Sequence, residues 1–308
     1  MLEEFYPSRA YPITLRGVKG PGSLSRLKRL NPHWPFRDGF DPESWQILFL
    51  HGYIDNTGSD RAIHHLPRLG YTVHMIRYPF LRTVEGIAEE VYEILRGIRR
   101  KEGDRPYVLL GHSLGGLIWD HLLKTEPTLV KEYQIPLYIP MGSPHYGTLP
   151  AFLAVGGSGR DMRPGSPLLR RHLAMDFPLD LEIYPFVSRF DLLVLPVETA
   201  LLPTGVNYIF SETGHLGLVV HSHLLYALEE VFATDPRVLR ERVVYRPFFP
   251  DSLTEILKRL PEGFRKRVGL EKFFMSLGAD GAPHPLYHLR IVPRNWVREG
   301  YPVLRRLA

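Results

Sequence analysis

The chain has 308 residues, 44% of them hydrophobic and 23% charged, which suits a globular protein with a sizeable core. It contains no cysteine, so disulfides and thiolate chemistry are excluded, and no apolar run reaches membrane-spanning length. The formal charge of +5 is uneven: from Glu241 to the last residue 13 Lys/Arg face 7 Asp/Glu, leaving +6 there and −1 elsewhere.

That basic segment is either a face for anionic lipid or a plain solvated surface. No zinc-finger spacing, helix-turn-helix pattern or aromatic-rich single-strand motif points to nucleic acid. The N-terminus opens with Glu3, Glu4 and Pro7 instead of a basic-then-apolar secretory order, so a cytoplasmic location is expected. Arginine (30) far outnumbers lysine (8), Asn and Gln total six, and there are 28 prolines. A hot environment and a GC-rich genome both produce this bias.

Residues 1–45 read as an irregular N-terminal extension rich in Pro, Gly and Arg, with one candidate strand at 11–15. A core follows over 46–238. Its short apolar runs at 46–50, 71–77, 107–110 and 135–139 read as buried strands. Helices are expected between them at 60–69, 83–101 and 114–125. The second carries Ile87, Val91, Ile94, Leu95 and Ile98 at helical spacing. A short cap excursion, 149–180, precedes strands at 181–187 and 206–210, and a helix at 218–232 closes the series. Residues 239–308 form a basic C-terminal extension. It holds a helical stretch at 253–277, interrupted by Pro261 and Gly263, that could pack on the core. The alternation predicts an α/β fold: a mostly parallel sheet with right-handed crossovers and helices on both faces. Functional groups in such sheets gather in loops at the carboxyl ends of the strands.

One such loop is Gly111-His112-Ser113-Leu114-Gly115, between the strand 107–110 and the helix 114–125. A serine on a sharp strand-to-helix elbow has strained backbone angles, and the glycines keep side chains clear of the neighbouring elements. The helix start supplies N–H groups and a positive dipole end for a developing oxyanion. Ser113 is therefore the expected nucleophile, and it needs a base and an orienting acid. His215 lies just past the strand 206–210, whereas His221 and His223 fall inside the following helix. Asp191 lies just past the strand 181–187; Asp180 is at the wrong edge and Glu198 is farther along the loop. The order Ser113, Asp191, His215 is the one this chemistry follows in such sheets. The expected oxyanion donors are the amides of Leu114 and of Tyr53, the latter in the loop His51-Gly52-Tyr53 after the first core strand. His51, Gly52, His112, Pro144 and His145 are the expected pocket residues. No metal or cofactor is called for; His33, His64 and His65 lack ligand partners at suitable spacing.

Five segments resemble the α/β-hydrolase superfamily, and within it the bacterial lipases and esterases: Leu48-Phe-Leu-His-Gly, Gly111-His-Ser-Leu-Gly-Gly, Met141-Gly-Ser-Pro-His-Tyr-Gly-Thr, Ser188-Arg-Phe-Asp and Gly214-His-Leu-Gly-Leu. The stretch Asp161-Met-Arg-Pro-Gly-Ser-Pro-Leu-Leu is similar to another segment of that group. The resemblance implies cofactor-free cleavage of a small-molecule or lipid ester through a Ser-His-Asp acyl-enzyme. The same triad would also serve an acyltransferase, a thioesterase or a phospholipase at a membrane surface, which the basic C-terminal segment could help to hold there. A non-catalytic lipid- or partner-binding module would not need all three residues. Lipases of the group often carry a longer lid, so the short interval 149–180 implies an open site and a smaller or more water-soluble ester.

Overall fold

In the strand Gln46–Leu50 (β2), Ile47 and Phe49 face one hydrophobic core while Leu48 and Leu50 face another. Tyr107–His112 (β4) repeats the pattern, with Val108 and Leu110 on the first side and Tyr107 and Leu109 on the second. This period-two alternation with both faces buried marks a central sheet covered on each side. The computed structural model describes residues 8–17, 28, 33, 35–41, 43–53, 63–211, 213–241, 244–247, 261–267 and 286–291.

The sheet has ten strands. Besides β2 and β4 they are Tyr11–Leu15 (β1), Thr72–Arg77 (β3), Leu137–Met141 (β5), Glu182–Ile183 (β6), Phe186–Ser188 (β7), Val206–Phe210 (β8), Val244–Pro247 (β9) and Leu286–Ile291 (β10). The order is β1-β3-β2-β4-β5-β7-β8-β10-β9, with β6 beside β5. Pairing is parallel throughout except at the two edges, where β1 runs against β3 and β9 against β10.

The helices Val84–Glu102 (α1) and Leu114–Thr125 (α2) pack on one face. On the other lie Leu224, Leu228 and Val231 of Ser222–Ala233, together with Ile63, Leu66 and Leu69. Thr83 caps α1, its hydroxyl accepting the Gly86 N–H at 3.2 Å. From the cap excursion, Asp161 Oδ2 accepts the Val84 N–H at 2.8 Å, a carboxylate at the positive end of the helix. The following helix, Pro167–Leu173, starts as its sequence dictates: Ser166 accepts the Leu169 N–H and proline takes the first helical position.

Beyond shifts of one or two residues at element ends, four features depart from the expected plan. The helix expected at 60–69 is a 3-10 helix over Ile63–Leu69 with Pro67 inside it, and 60–62 lie outside the described residues. The strand expected at 181–187 is two short strands, β6 and β7, because Pro185 has no N–H for the ladder. The last core helix is broken at His221, whose extended backbone (ψ 141°) separates the turn Gly217–Val220 from Ser222–Ala233. Finally, the sheet does not stop at β8: β10 pairs parallel to it and β9 pairs with β10. Of the expected helix 253–277, Glu262–Arg267 is helical and the rest lies outside the described residues apart from Pro261.

Candidate active site

Ser113 sits between β4 and α2 with φ 53° and ψ −118°, a positive-φ conformation that non-glycine residues rarely adopt. The crowding around it explains the flanking glycines. A Cβ on Gly115 would stand 2.3 Å from the Leu50 carbonyl oxygen, and one on Gly111 would stand 2.7 Å from the Gly116 backbone. The Ser113 N–H donates to the Met141 carbonyl at 2.8 Å, tying the elbow to the end of β5.

Asp191 and His215 come from the loops after β7 and β8. His215 Nδ1 donates to Asp191 Oδ2 at 2.7 Å, and both side chains are buried. The other carboxylate oxygen accepts the N–H groups of Leu193 and Val194, each at 2.8 Å, so Asp191 is held at both ends. Nδ1 thus carries the proton and Nε2 is left as the acceptor. Ser113 and His215 line the same cavity, although the hydroxyl makes no hydrogen bond to the imidazole.

His112 backs this arrangement. Its ring lies 4.6 Å from that of His215, and its Nε2 donates to the His215 carbonyl at 3.2 Å. Burial, reinforced by the neighbouring His215, pushes the His112 pKa well below the ordinary histidine value, so it stays neutral. Across the cavity, a Cβ on Gly52 would stand 3.2 Å from Ser113 Cβ. A side chain there would press on Ser113 and His112, and the glycine lets the backbone pass close to both before Tyr53 joins the cavity wall. Leu114 is the first residue of α2, where helical geometry leaves an N–H without an intrahelical partner.

No known protein family matches the sequence, and no curated protein matches it either. The fold, however, is similar to that of the mature form of a Bacillus licheniformis lipase, BlEst2. The two are 14% identical with a TM-score of 0.57 over 72% of this chain and 98% of that one. The propeptide form of the same lipase gives 13% identity and a TM-score of 0.56, over 72% of this chain and 53% of that one. This chain has the α/β-hydrolase fold.

Within this fold the cavity over Ser113 measures about 300 Å³. Its walls are mainly apolar: Pro144, Ala151, Met162, Val194 and Leu216 surround the polar groups of Ser113 and His215. Gly52, His112 and Pro144 line it as the sequence led us to expect, but His51 and His145 do not. His51 is buried against Tyr78, the two rings stacked 4.0 Å apart, with its Nδ1 2.7 Å from the Gly52 carbonyl.

His145 turns the opposite way from its neighbour Pro144. Its Nδ1 donates to Asp120 Oδ2 at 2.5 Å, with both side chains buried. The Tyr138 hydroxyl lies 2.7 Å from both Asp120 Oδ1 and the Gly116 carbonyl, so one hydrogen is shared between two acceptors. This second His–Asp pair ties the loop after β5 to α2. The opposing charge of His145 keeps the Asp120 carboxyl below its usual range despite burial, which acts the other way. Sequence reading missed this pair and also Gly142. At φ +56°, Gly142 has a position for Cβ only 3.1 Å from His215 Nδ1 and 3.2 Å from Asp191 Oδ2. The glycine directly after a strand in Met141-Gly142-Ser143 was the available signal.

Proposed function

We propose that this chain is a serine hydrolase that cleaves carboxylic esters through an acyl-enzyme. One observation carries the reading: His215, paired with Asp191 at 2.7 Å, lines the same apolar cavity as Ser113, which a strained elbow presents. In the proposed reaction, Ser113 Oγ attacks the acyl carbonyl while His215 Nε2 takes its proton. Asp191 holds the Nδ1–H and stabilises the imidazolium. The N–H groups of Leu114 and Tyr53 receive the oxyanion. His215 then protonates the leaving alcohol, and activates the water that releases the acid. The apolar walls favour an acyl group without charge.

The test is hydrolysis of p-nitrophenyl esters of graded chain length by the purified protein and by Ser113→Ala. Turnover that disappears in the variant, with fluorophosphonate labelling that also disappears, supports the proposal. Absence of both turnover and labelling in the folded wild-type protein overturns it.

A further inference from the structure

Among the described residues, Tyr53, His112, Ser113, Thr148 and His215 bring polar side chains to the wall of the Ser113 cavity. Two of these have their hydroxyls occupied. The Thr148 hydroxyl donates to the Leu193 carbonyl at 2.9 Å and accepts the Leu195 N–H at 2.9 Å. The Tyr53 hydroxyl donates to the Val155 carbonyl and accepts the Val155 N–H. Ser113 and His215 are taken up by the proposed chemistry. That leaves His112, whose Nε2–H goes to the His215 carbonyl while its Nδ1 has no hydrogen-bond partner among the described residues.

His112 is 4% exposed and lines the cavity. Burial, with the neighbouring His215, holds its ring neutral. A neutral imidazole that spends its one N–H on a carbonyl has a bare lone pair at the other nitrogen, so Nδ1 is an acceptor only. Gly52 shows where that acceptor lies. The position of a Gly52 Cβ is 3.1 Å from His112 Nδ1 and 3.2 Å from Ser113 Cβ. The space that the glycine keeps clear therefore borders both the acceptor and the nucleophile. A buried acceptor left unpaired is costly, so such a site discriminates in favour of a ligand that supplies the missing donor.

We propose that His112 Nδ1 is a specificity-determining acceptor for a hydroxyl on the alcohol part of the ester, so that the substrate class is a monoester of a diol or polyol. The alcohol side is assigned because the leaving oxygen has to reach His215 Nε2, and the His112 ring lies 4.6 Å from the His215 ring. The acyl chain then takes the remaining, apolar walls. A hydroxylated alcohol also suits the more water-soluble ester expected from the short cap. The inference rests on the serine hydrolase reading for its reaction and on the His112 geometry alone for its binding.

The experiment compares 2-hydroxyethyl octanoate with propyl octanoate, which differ by a hydroxyl in place of a terminal methyl group. Calorimetric binding to the full chain as Ser113→Ala, so that neither ester is consumed, should favour the hydroxyethyl ester at least fivefold. Adding His112→Phe keeps an aromatic ring and removes the acceptor, and it should erase that preference. In the Ser113 protein, His112→Phe should lower the ratio of kcat/KM for the two esters by at least fivefold. A purely structural role for His112 would lower both esters alike and leave the ratio unchanged. Equal affinity of Ser113→Ala for the two esters, or binding of neither, overturns the proposal even where His112→Phe does not fold. So does a preference that survives His112→Phe. If both esters are cleaved without discrimination, this inference falls and the hydrolase reading stands. If the hydroxyethyl ester is preferred in binding but no ester is cleaved and no fluorophosphonate labels Ser113, the acceptor stands and the hydrolase reading falls.

Discussion

Gly142 lies so close to His215 that a Cβ added to the glycine would stand 3.1 Å from the imidazole Nδ1. The same atom would stand 3.2 Å from Asp191 Oδ2, so one methyl group would press on both members of the pair. The backbone at +56° adds its own cost for any side chain. Gly142→Ala should therefore destabilise the protein by about 1–2 kcal/mol and lower kcat by roughly tenfold or more. Urea unfolding and steady-state kinetics on one preparation would check both.

Asp191→Asn keeps the shape of the loop but exchanges an acceptor for an amide that can no longer fix the imidazole tautomer. In the proposed mechanism kcat falls by roughly 10³–10⁴-fold with KM little changed. A drop below tenfold would mean that another group orients His215.

Tyr53 connects the loop after β2 to the excursion at 149–180. Its hydroxyl donates to the Val155 carbonyl at 2.5 Å and accepts the Val155 N–H at 3.0 Å, while its ring packs edge-on against Phe80. Tyr53→Phe retains the ring and the backbone N–H and loses only the clasp. Amide exchange across 149–161 should accelerate, and KM for long-chain esters should rise by about fivefold, equivalent to about 1 kcal/mol for the lost hydrogen bonding. Short esters should be almost unaffected; an equal effect on both would place the role of the hydroxyl in chemistry.

The buried Asp120–His145 pair makes a prediction about stability. His145→Ala leaves the Asp120 carboxylate buried with the Tyr138 hydroxyl as its only remaining side-chain partner among those described. Loss of one member of such a pair costs about 3–5 kcal/mol. Thermal unfolding should show the loss, and Asp120→Asn/His145→Ala should recover part of it.

Glu229 should give a pH-dependent signature. Burial pushes its carboxyl up to about 7, against the opposing pull of the Tyr71 hydroxyl. A folded-state value above the unfolded one means that the stability contribution is complete below about pH 4.5 and is lost as pH rises through 7. Stability should fall by on the order of 3 kcal/mol across that window, and Glu229→Gln should remove this component. Urea midpoints at pH 5 and pH 8 would measure it.

Local pattern was enough wherever local chemistry decides the structure. The helix Leu114–Thr125 is bounded as expected, because a strained turn starts it and the apolar run sets its length. Strands β2 and β8 were likewise legible from five apolar-rich residues apiece. The expected positions of Ser113, Asp191 and His215 came from the loop rule for parallel sheets, and the structure brings Asp191 and His215 into contact. What escaped depends on pairs distant in sequence. Asp120 and His145 are 25 residues apart with no motif linking them, so His145 was assigned to the cavity with Pro144 although the two point opposite ways. The strand Leu286–Ile291 lies in a tail punctuated by proline, and its pairing with β8, some 80 residues earlier, and with β9 makes it a strand.

That late strand also bears on how the protein is assembled. β8 leads directly into the loop that carries His215, and its side away from β7 is covered by Leu286–Ile291. A nascent or truncated chain stopping before Leu286 would present β8 as a bare edge beside the loop of His215, open to pairing with other chains. The loop that carries His215 thus gains a fully paired strand beneath it only once Leu286–Ile291, some 80 residues later, has been made.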